Sequence, residues 1–190
     1  MSIASRRIGR TLLAIGAAVA LAGVGSGPAA AAAEGGSSDI PTPGPGYRLL
    51  SAYRVTTGVQ IYACTAAGTW STSSTPEAQL KRYGRPGTIH HHAGPRWTSN
   101  KDGSTVVGAV DIRVPKDGTI PWLLLHVSAH ENSAPGKELN NVAFISRINT
   151  SGGVGPTGAC TPGVDADQAV PYHADYLFWV PRGRQAAIEN

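Results

Sequence analysis

The chain has 190 residues, and its 16 basic and 12 acidic side chains give a formal net charge of +4. This length predicts a single domain with short appendages. Three of the basic residues and none of the acidic ones lie in residues 1–33, so the remainder carries 13 basic against 12 acidic side chains. That remainder has no cluster of Lys and Arg, which excludes an extended phosphate-binding surface, and we expect no nucleic-acid partner.

Residues 1–33 have the pattern of a secretory signal peptide. Arg6, Arg7 and Arg10 precede an uncharged apolar stretch at residues 11–24, and an Ala-rich run at 29–33 offers cleavage sites. The apolar stretch is short for a membrane span, although an N-terminal membrane anchor is the alternative. We therefore expect a secreted, extracellular protein with no membrane contact after cleavage. The cleavage position within residues 29–34 and the export route, general secretory or twin-arginine, stay open.

The rest of the chain divides by composition. Residues 34–46 are rich in Gly, Ser and Pro and predict a linker. Residues 47–180 hold the periodic, core-forming sequence and predict one β domain, and residues 181–190 predict a polar tail. The oligomeric state stays open.

Alternation of apolar and polar residues predicts strands through this domain. The continuous apolar run near residue 123 is instead typical of a strand that is covered on both faces. Strands are predicted at residues 105–114, 119–127, 141–149 and 172–180.

One helical signal interrupts this pattern. Thr75 is a candidate N-cap followed by Pro76 and Glu77, which predicts a helix of two turns at most. No βαβ alternation of the nucleotide-binding kind occurs in the sequence. The expected fold class is mainly β: a single-domain antiparallel sandwich or distorted barrel with one short helix.

Two cysteines, Cys64 and Cys160, follow the leader. An even number of cysteines in an exported chain predicts a disulfide, with two free buried thiols as the alternative. No Cys-x-x-Cys pair occurs, so neither a redox motif nor a zinc knuckle is indicated.

Histidines supply the first candidate chemistry. In an extended segment His90 and His92 share one face and His91 faces the other way, so a metal bound by His90 and His92 is an alternative interpretation. A third ligand would have to come from elsewhere, and a polar strand end explains the run as well. We expect no metal and no cofactor. The candidates for the third ligand are His126, His130, His173 and Asp102.

A hydroxyl nucleophile is the second candidate chemistry. Ser104 follows Asp102 and Gly103 and would need His92 as its base, so the catalytic candidates are His92, Asp102 and Ser104. The alternative is a hairpin turn in which Asp102 accepts backbone N–H bonds. No G-x-S-x-G motif supports the catalytic interpretation.

Six segments follow one another along the chain in an order that a known family shares. The segments are Gly58-Val59-Gln60-Ile61-Tyr62-Ala63-Cys64, His92-Ala93-Gly94-Pro95-Arg96-Trp97, Asp102-Gly103-Ser104, Ile120-Pro121-Trp122-Leu123-Leu124-Leu125, Arg147-Ile148-Asn149-Thr150-Ser151-Gly152-Gly153 with Cys160, and Val170-Pro171-Tyr172-His173-Ala174-Asp175-Tyr176-Leu177-Phe178. In this order they resemble the DUF3455 family, exported proteins of bacteria and fungi with no established function. The resemblance implies a secreted β-rich domain and pairing of Cys64 with Cys160. It singles out His92, because His90, His91, His126 and His130 are not part of the pattern, and it supplies neither a catalytic residue nor a cofactor.

These observations favour an extracellular binding or interaction module, with a glycan or cell-surface component as its partner. Trp97, with polar neighbours in the sequence, is either a ring that stacks on a ligand or a core residue. Trp97, Arg147 and Asn149 are the candidate binding residues, with His92 beside them. The alternatives are a secreted hydrolase or metal-dependent enzyme centred on His92, and a structural envelope protein. Whether the protein is an enzyme stays open.

Overall fold

In the computed structural model, residues 40–183 are described. Eight strands follow one another along the sequence, and each pairs antiparallel with the next. The last strand also pairs with the first, which closes the sheet into a barrel. The strands are β1 (Tyr47–Tyr62), β2 (Thr75–Arg82), β3 (Thr88–His92), β4 (Arg96–Ser99), β5 (Thr105–Val114), β6 (Trp122–Glu131), β7 (Phe144–Gly152) and β8 (Gln168–Pro181).

Alternating side chains give each strand an inner and an outer face. In β8 the residues Tyr172, Ala174, Tyr176 and Phe178 are buried in the core, and the residues between them are more exposed. β1 has a bulge between Val55 and Thr57, and bulges bend a strand, so this strand can curve around the barrel. The predicted antiparallel, mainly β fold is confirmed, and of the two expected architectures the barrel is the one observed.

The short helix predicted from Thr75 is wrong. Thr75–Arg82 forms β2, in which Pro76, Ala78 and Leu80 are buried and the residues between them are exposed, apart from half-buried Arg82 at its end. This sequence fits a period of two as well as a short helix. Pairing with β1 and β3 supplies backbone hydrogen bonds along the whole segment, whereas an isolated helix of two turns is unstable. Within residues 40–183 no helix is formed.

The β6–β7 loop, residues 132–143, fills one end of the barrel. Leu139 and Val142 of this loop are buried in the core. The Glu138 carboxylate accepts hydrogen bonds from the hydroxyl groups of Tyr53 (2.9 Å) and Ser99 (2.5 Å). Apolar burial and hydrogen bonds therefore hold the loop in place.

Four loops surround the other end, which we call the open end. They are residues 63–74, 93–95, 115–121 and 153–167. The Cys64–Cys160 disulfide joins the first of these loops to the last, which confirms the predicted disulfide.

The segment before β1 lies against the outside of the barrel. Pro41 is buried, and its carbonyl oxygen accepts a hydrogen bond from the Ser146 hydroxyl (2.6 Å). The predicted signal peptide, the linker before residue 40 and the tail beyond residue 183 lie outside the described residues. Among residues 40–183, no helix is long and apolar enough to cross a lipid bilayer.

Candidate functional site

A cavity of about 440 Å³ occupies the barrel interior next to the open end. Its volume falls within the range typical of small-molecule sites, and an eight-stranded barrel is wide enough for one small ligand. Apolar and polar side chains both line it. The lining residues that matter below are Gln60, His91, Trp97, Arg113, Leu123, Leu125, Arg147 and Tyr176.

Three rings pack together at one wall of the cavity. The imidazole of His91 stacks on the indole of Trp97, with 4.3 Å between ring centroids and an interplanar angle of 4°. Tyr176 meets both rings edge-on, at 5.2 Å and 5.8 Å. Gly108 makes room for the indole, because a Cβ atom there would lie 2.9 Å from Trp97 Cζ3. These contacts fix the three rings against one another, and the rings of His91 and Trp97 lie parallel.

His91 is a neutral imidazole in this wall. Its Nδ1 lies 2.8 Å from the carbonyl oxygen of Arg96, and because a carbonyl only accepts, Nδ1 carries the proton. Burial lowers the pKa of His91 to about 3, and the charge of Arg147 adds to this effect against the opposing backbone hydrogen bond. Nε2 therefore keeps its lone pair at neutral pH and is a hydrogen-bond acceptor.

Two N–H groups at the cavity have no acceptor. Gln60 is 2% exposed and Trp97 is 1% exposed. Within residues 40–183, neither Gln60 Nε2 nor Trp97 Nε1 has a hydrogen-bond partner. Burial raises the pKa of Tyr172, and the Gln60 amide opposes this rise because it points toward the Tyr172 hydroxyl, although the two groups do not reach normal hydrogen-bond geometry. Unpaired buried donors are uncommon and costly, and both of these belong to residues that line the cavity.

Arg147 brings a positive charge to the same cavity. Its Nε and Nη2 donate to the carbonyl oxygen of Pro121 at 3.1 Å and 2.9 Å, which fixes the guanidinium. Burial raises the pKa of Tyr176, and Arg147 opposes this rise. The hydroxyl oxygens of Tyr172 and Tyr176 lie 3.3 Å apart. Arg147, Tyr176 and Tyr172 thus form a connected polar group inside the barrel.

The candidate binding residues divide between the interior and the surface. Trp97 and Arg147 both line the cavity. Asn149 is exposed and donates from Nδ2 to Asp175 Oδ2 at 2.8 Å. Alternation alone would put Asn149 on the face of Arg147, but a positive φ of 50° at Asn149 and a bulge after Ile148 interrupt the alternation.

His90 and His92 are on the outer face of β3. Their rings stack at 4.6 Å, His90 Nε2 lies 2.5 Å from Glu77 Oε1, and His92 Nε2 lies 3.0 Å from Thr98 Oγ1. Burial and the neighbouring His90 lower the pKa of His92. In the described part of the chain, no group of three or more His, Cys, Asp or Glu side chains is arranged to hold a metal ion.

Asp102 and Ser104 lie at the β4–β5 turn, at the end of the barrel that residues 132–143 fill. Ser104 Oγ donates to Asp102 Oδ1 (2.6 Å) and accepts from the backbone N–H of Leu139 (3.2 Å). Burial raises the pKa of Asp102, but hydrogen bonds from Ser104 and from the Glu138 N–H outweigh it and lower the pKa to about 2. Strand β4 separates this turn from His92, which pairs with Arg96 at the other end of the strand. The three catalytic candidates therefore do not meet in one site.

Three residues of the cavity were not among the candidates predicted from the sequence: Gln60, His91 and Tyr176. Ile89 shares the face of His91, and this apolar neighbour is the signal that marks His91 as the inward histidine of the run. Tyr176 alternates with more exposed residues along β8, in a pattern that is typical of core residues. Nothing in the sequence around Gln60 indicates that its amide is buried.

Fold and site together define the class of the protein: a small closed antiparallel barrel with a ligand-sized cavity that apolar and polar side chains both line. The chain belongs to the family described as "Protein of unknown function (DUF3455)", which matches residues 82–180. The resemblance seen in the sequence is thus confirmed, although the segment 58–64, which contributed to it, precedes the matched residues. Comparison with curated proteins gave no match, and comparison with solved structures gave none.

Proposed function

We propose that the barrel is an extracellular binding module that holds one small molecule in its cavity. The observation that carries this proposal is the pair of buried, unpaired donors, Gln60 Nε2 and Trp97 Nε1, at a cavity of about 440 Å³. A ligand with hydrogen-bond acceptors would satisfy both groups. Because an unsatisfied buried donor costs about 1–3 kcal/mol, each bond that the ligand makes recovers free energy that the protein alone has lost.

The side chains that line the cavity indicate which class of ligand fits it. The flat pair of His91 and Trp97 and the side chains of Leu123 and Leu125 favour a planar or apolar body. Trp97 is almost wholly buried, so the ligand enters the barrel rather than lying across an exposed ring. A small molecule or the end of a glycan fits this requirement better than the middle of a long chain.

Binding is favoured over hydrolysis by the surroundings of the hydroxyl candidate. Ser104 is 1% exposed and its hydroxyl is engaged by Asp102 and by the loop that fills the barrel end. A substrate would have to displace that loop. No such displacement is needed at the open end.

The test uses protein labelled with ¹⁵N at tryptophan, because each indole N–H gives its own NMR signal. A library of small aromatic and oxygen-rich compounds is added, and the Trp97 signal is expected to shift. Trp179 is the internal control, since its Nε1 already donates to Ser146 Oγ at 2.9 Å. The proposal fails if the compounds that bind shift other indoles and leave Trp97 unchanged, or if none binds.

Export is the second part of the proposal. The Cys64–Cys160 disulfide supports an oxidising compartment, and residues 1–33 would be the leader that takes the chain there. Mass spectrometry of protein recovered from the native host's culture medium should give an N-terminus within residues 29–34. An intact N-terminus on protein confined to the cytosol would contradict export.

A further inference from the structure

We infer that the ligand of this cavity carries a carboxylate on its apolar body, with Arg147 as the group that binds the anion. This inference rests on the proposed binding function and names the chemical class of the ligand.

The first support is the charge of the cavity. Arg147 and Arg113 both line it, and no Asp or Glu is among the described residues of the lining. Within residues 40–183, no carboxylate lies within 4.0 Å of the Arg147 guanidinium. A half-buried cation without a counter-ion is unfavourable, because burial in a medium of low dielectric constant penalises an unpaired charge.

The second support is the direction of the available hydrogen bonds. Gln60 Nε2 and Trp97 Nε1 are donors without acceptors, and the guanidinium offers only donors. A carboxylate is an acceptor with two oxygens and about four lone-pair sites, so it matches this set of groups. An amine could donate to His91 Nε2 but would leave the N–H groups of Gln60 and Trp97 unpaired and would place a second positive charge beside Arg147.

The position of Arg147 gives the third support. Its charge affects the pKa values of His91, Tyr172 and Tyr176, so the guanidinium lies close to these three side chains inside the barrel. Pro121 O holds it there through two hydrogen bonds. An anion bound by Arg147 would therefore lie inside the barrel, with its apolar body against the ring pair of Trp97 and His91.

Carboxylate is favoured over phosphate by the same groups. Of the two arginines among the described residues that line the cavity, Arg147 is half-buried and Arg113 is exposed. A phosphate monoester carries nearly two charges at neutral pH, and a single fixed cation with neutral donors around it suits a monoanion better.

The test compares acids with their amides, which have the same body but no charge. The probes are 2-naphthoate with 2-naphthamide and octanoate with octanamide, titrated by calorimetry, and 2-naphthyl phosphate is added as the other anion. Wild-type protein should bind at least one acid about tenfold more tightly than its amide, because a charge-assisted bond is roughly twice as strong as a neutral one. The Trp97 indole signal should shift on binding.

Two substitutions separate charge from structure. Arg147→Gln should weaken binding of the acid by about 30-fold or more and leave the amide nearly unchanged, since removing one partner of a buried charge pair has a large effect. Arg147→Lys should retain a preference for the acid. Arg85→Gln, at an exposed arginine in the turn between β2 and β3, is the matched control with the same loss of charge. A purely structural role of Arg147 would weaken acid and amide equally.

The outcomes distinguish this inference from the function on which it rests. If acid and amide bind equally and shift Trp97, the cavity binds ligands but the carboxylate inference is wrong. Tighter binding of the phosphate than of the naphthoate would also overturn it. If no probe binds and no library compound shifts Trp97, the binding function itself fails.

Discussion

Acid should destabilise the barrel through His91. The pKa of this buried imidazole is about 3, whereas a histidine in the unfolded chain has a pKa of 6.5. Between these values the unfolded state binds a proton that the folded state does not, so stability falls as the pH falls through this window. At pH 5, linkage gives a loss of about 2 kcal/mol in the free energy of unfolding relative to pH 8. The figure depends mainly on the unfolded-state pKa, because pH 5 is well above the folded-state value.

The assay is urea unfolding at pH 8, 6 and 5 for wild-type protein and for variants that do not titrate at this position. His91→Phe keeps a ring against Trp97 but leaves the Arg96 carbonyl without its donor, so its stability at pH 8 should be lower by about 1–3 kcal/mol. His91→Gln keeps a donor and is the second variant in case the first does not fold. Both should lack the acid-dependent loss of about 2 kcal/mol.

His92→Gln is the matched control, since His92 is on the outer face of the same strand. Its pKa is also lowered by burial, but it is far more exposed than His91, so this variant should keep most of the wild-type dependence. If His91→Phe and His91→Gln both lose as much stability between pH 8 and pH 5 as wild-type protein does, the buried neutral histidine is not the cause and the reasoning is refuted.

Three further substitutions test other parts of the structure. Gln60→Met removes an unpaired donor and also the hydrogen bond from Ser74 Oγ. The free energy of unfolding in urea should rise by about 1 kcal/mol while ligand affinity falls, and a clear loss of stability would contradict this. Asp102→Asn removes a carboxylate whose pKa is lowered from 3.8 to about 2. The variant should be less stable than wild-type protein by about 1 kcal/mol near neutral pH, after allowance for solvent screening, and this difference should disappear as the pH falls from about 4 to 2. An acid profile identical to that of wild-type protein would contradict the prediction. Replacing Cys64 and Cys160 by Ala removes a crosslink between residues that are 96 positions apart in the sequence. The free energy of unfolding, measured in urea, should fall by about 4–5 kcal/mol. A loss under about 1 kcal/mol would mean that other contacts hold the loops at the open end.

The barrel was largely predictable because its strands alternate between an apolar interior and a more polar outside. Segment 172–180 has this alternation throughout and forms β8. Segment 105–114 has it in the sequence and forms β5, where Val106 and Gly108 are buried but Val110 and Ile112 are exposed. Segment 75–82 was misassigned because its capping residues favour a helix locally, and the pairing with β1 and β3 that decides the outcome joins residues distant in sequence. Local propensity is a weak guide where such pairing is available.

The site was predictable only in part, since burial of a polar side chain depends on register. Trp97 and Arg147 were candidates from the sequence and line the cavity. Asn149 was placed with Arg147 by alternation, but its left-handed backbone turns it to the surface. Gln60 is polar and gives no sign of burial, yet β1 places its amide inside the barrel.

A crystal structure of the barrel with a ligand found by the tryptophan screen is the most direct test of the account. We expect an acceptor atom of the ligand at about 3 Å from Trp97 Nε1 and another at about 3 Å from Gln60 Nε2, inside the cavity. A ligand bound on the outer face, near His92 or Asn149, with both interior donors still unpaired, would contradict the central claim.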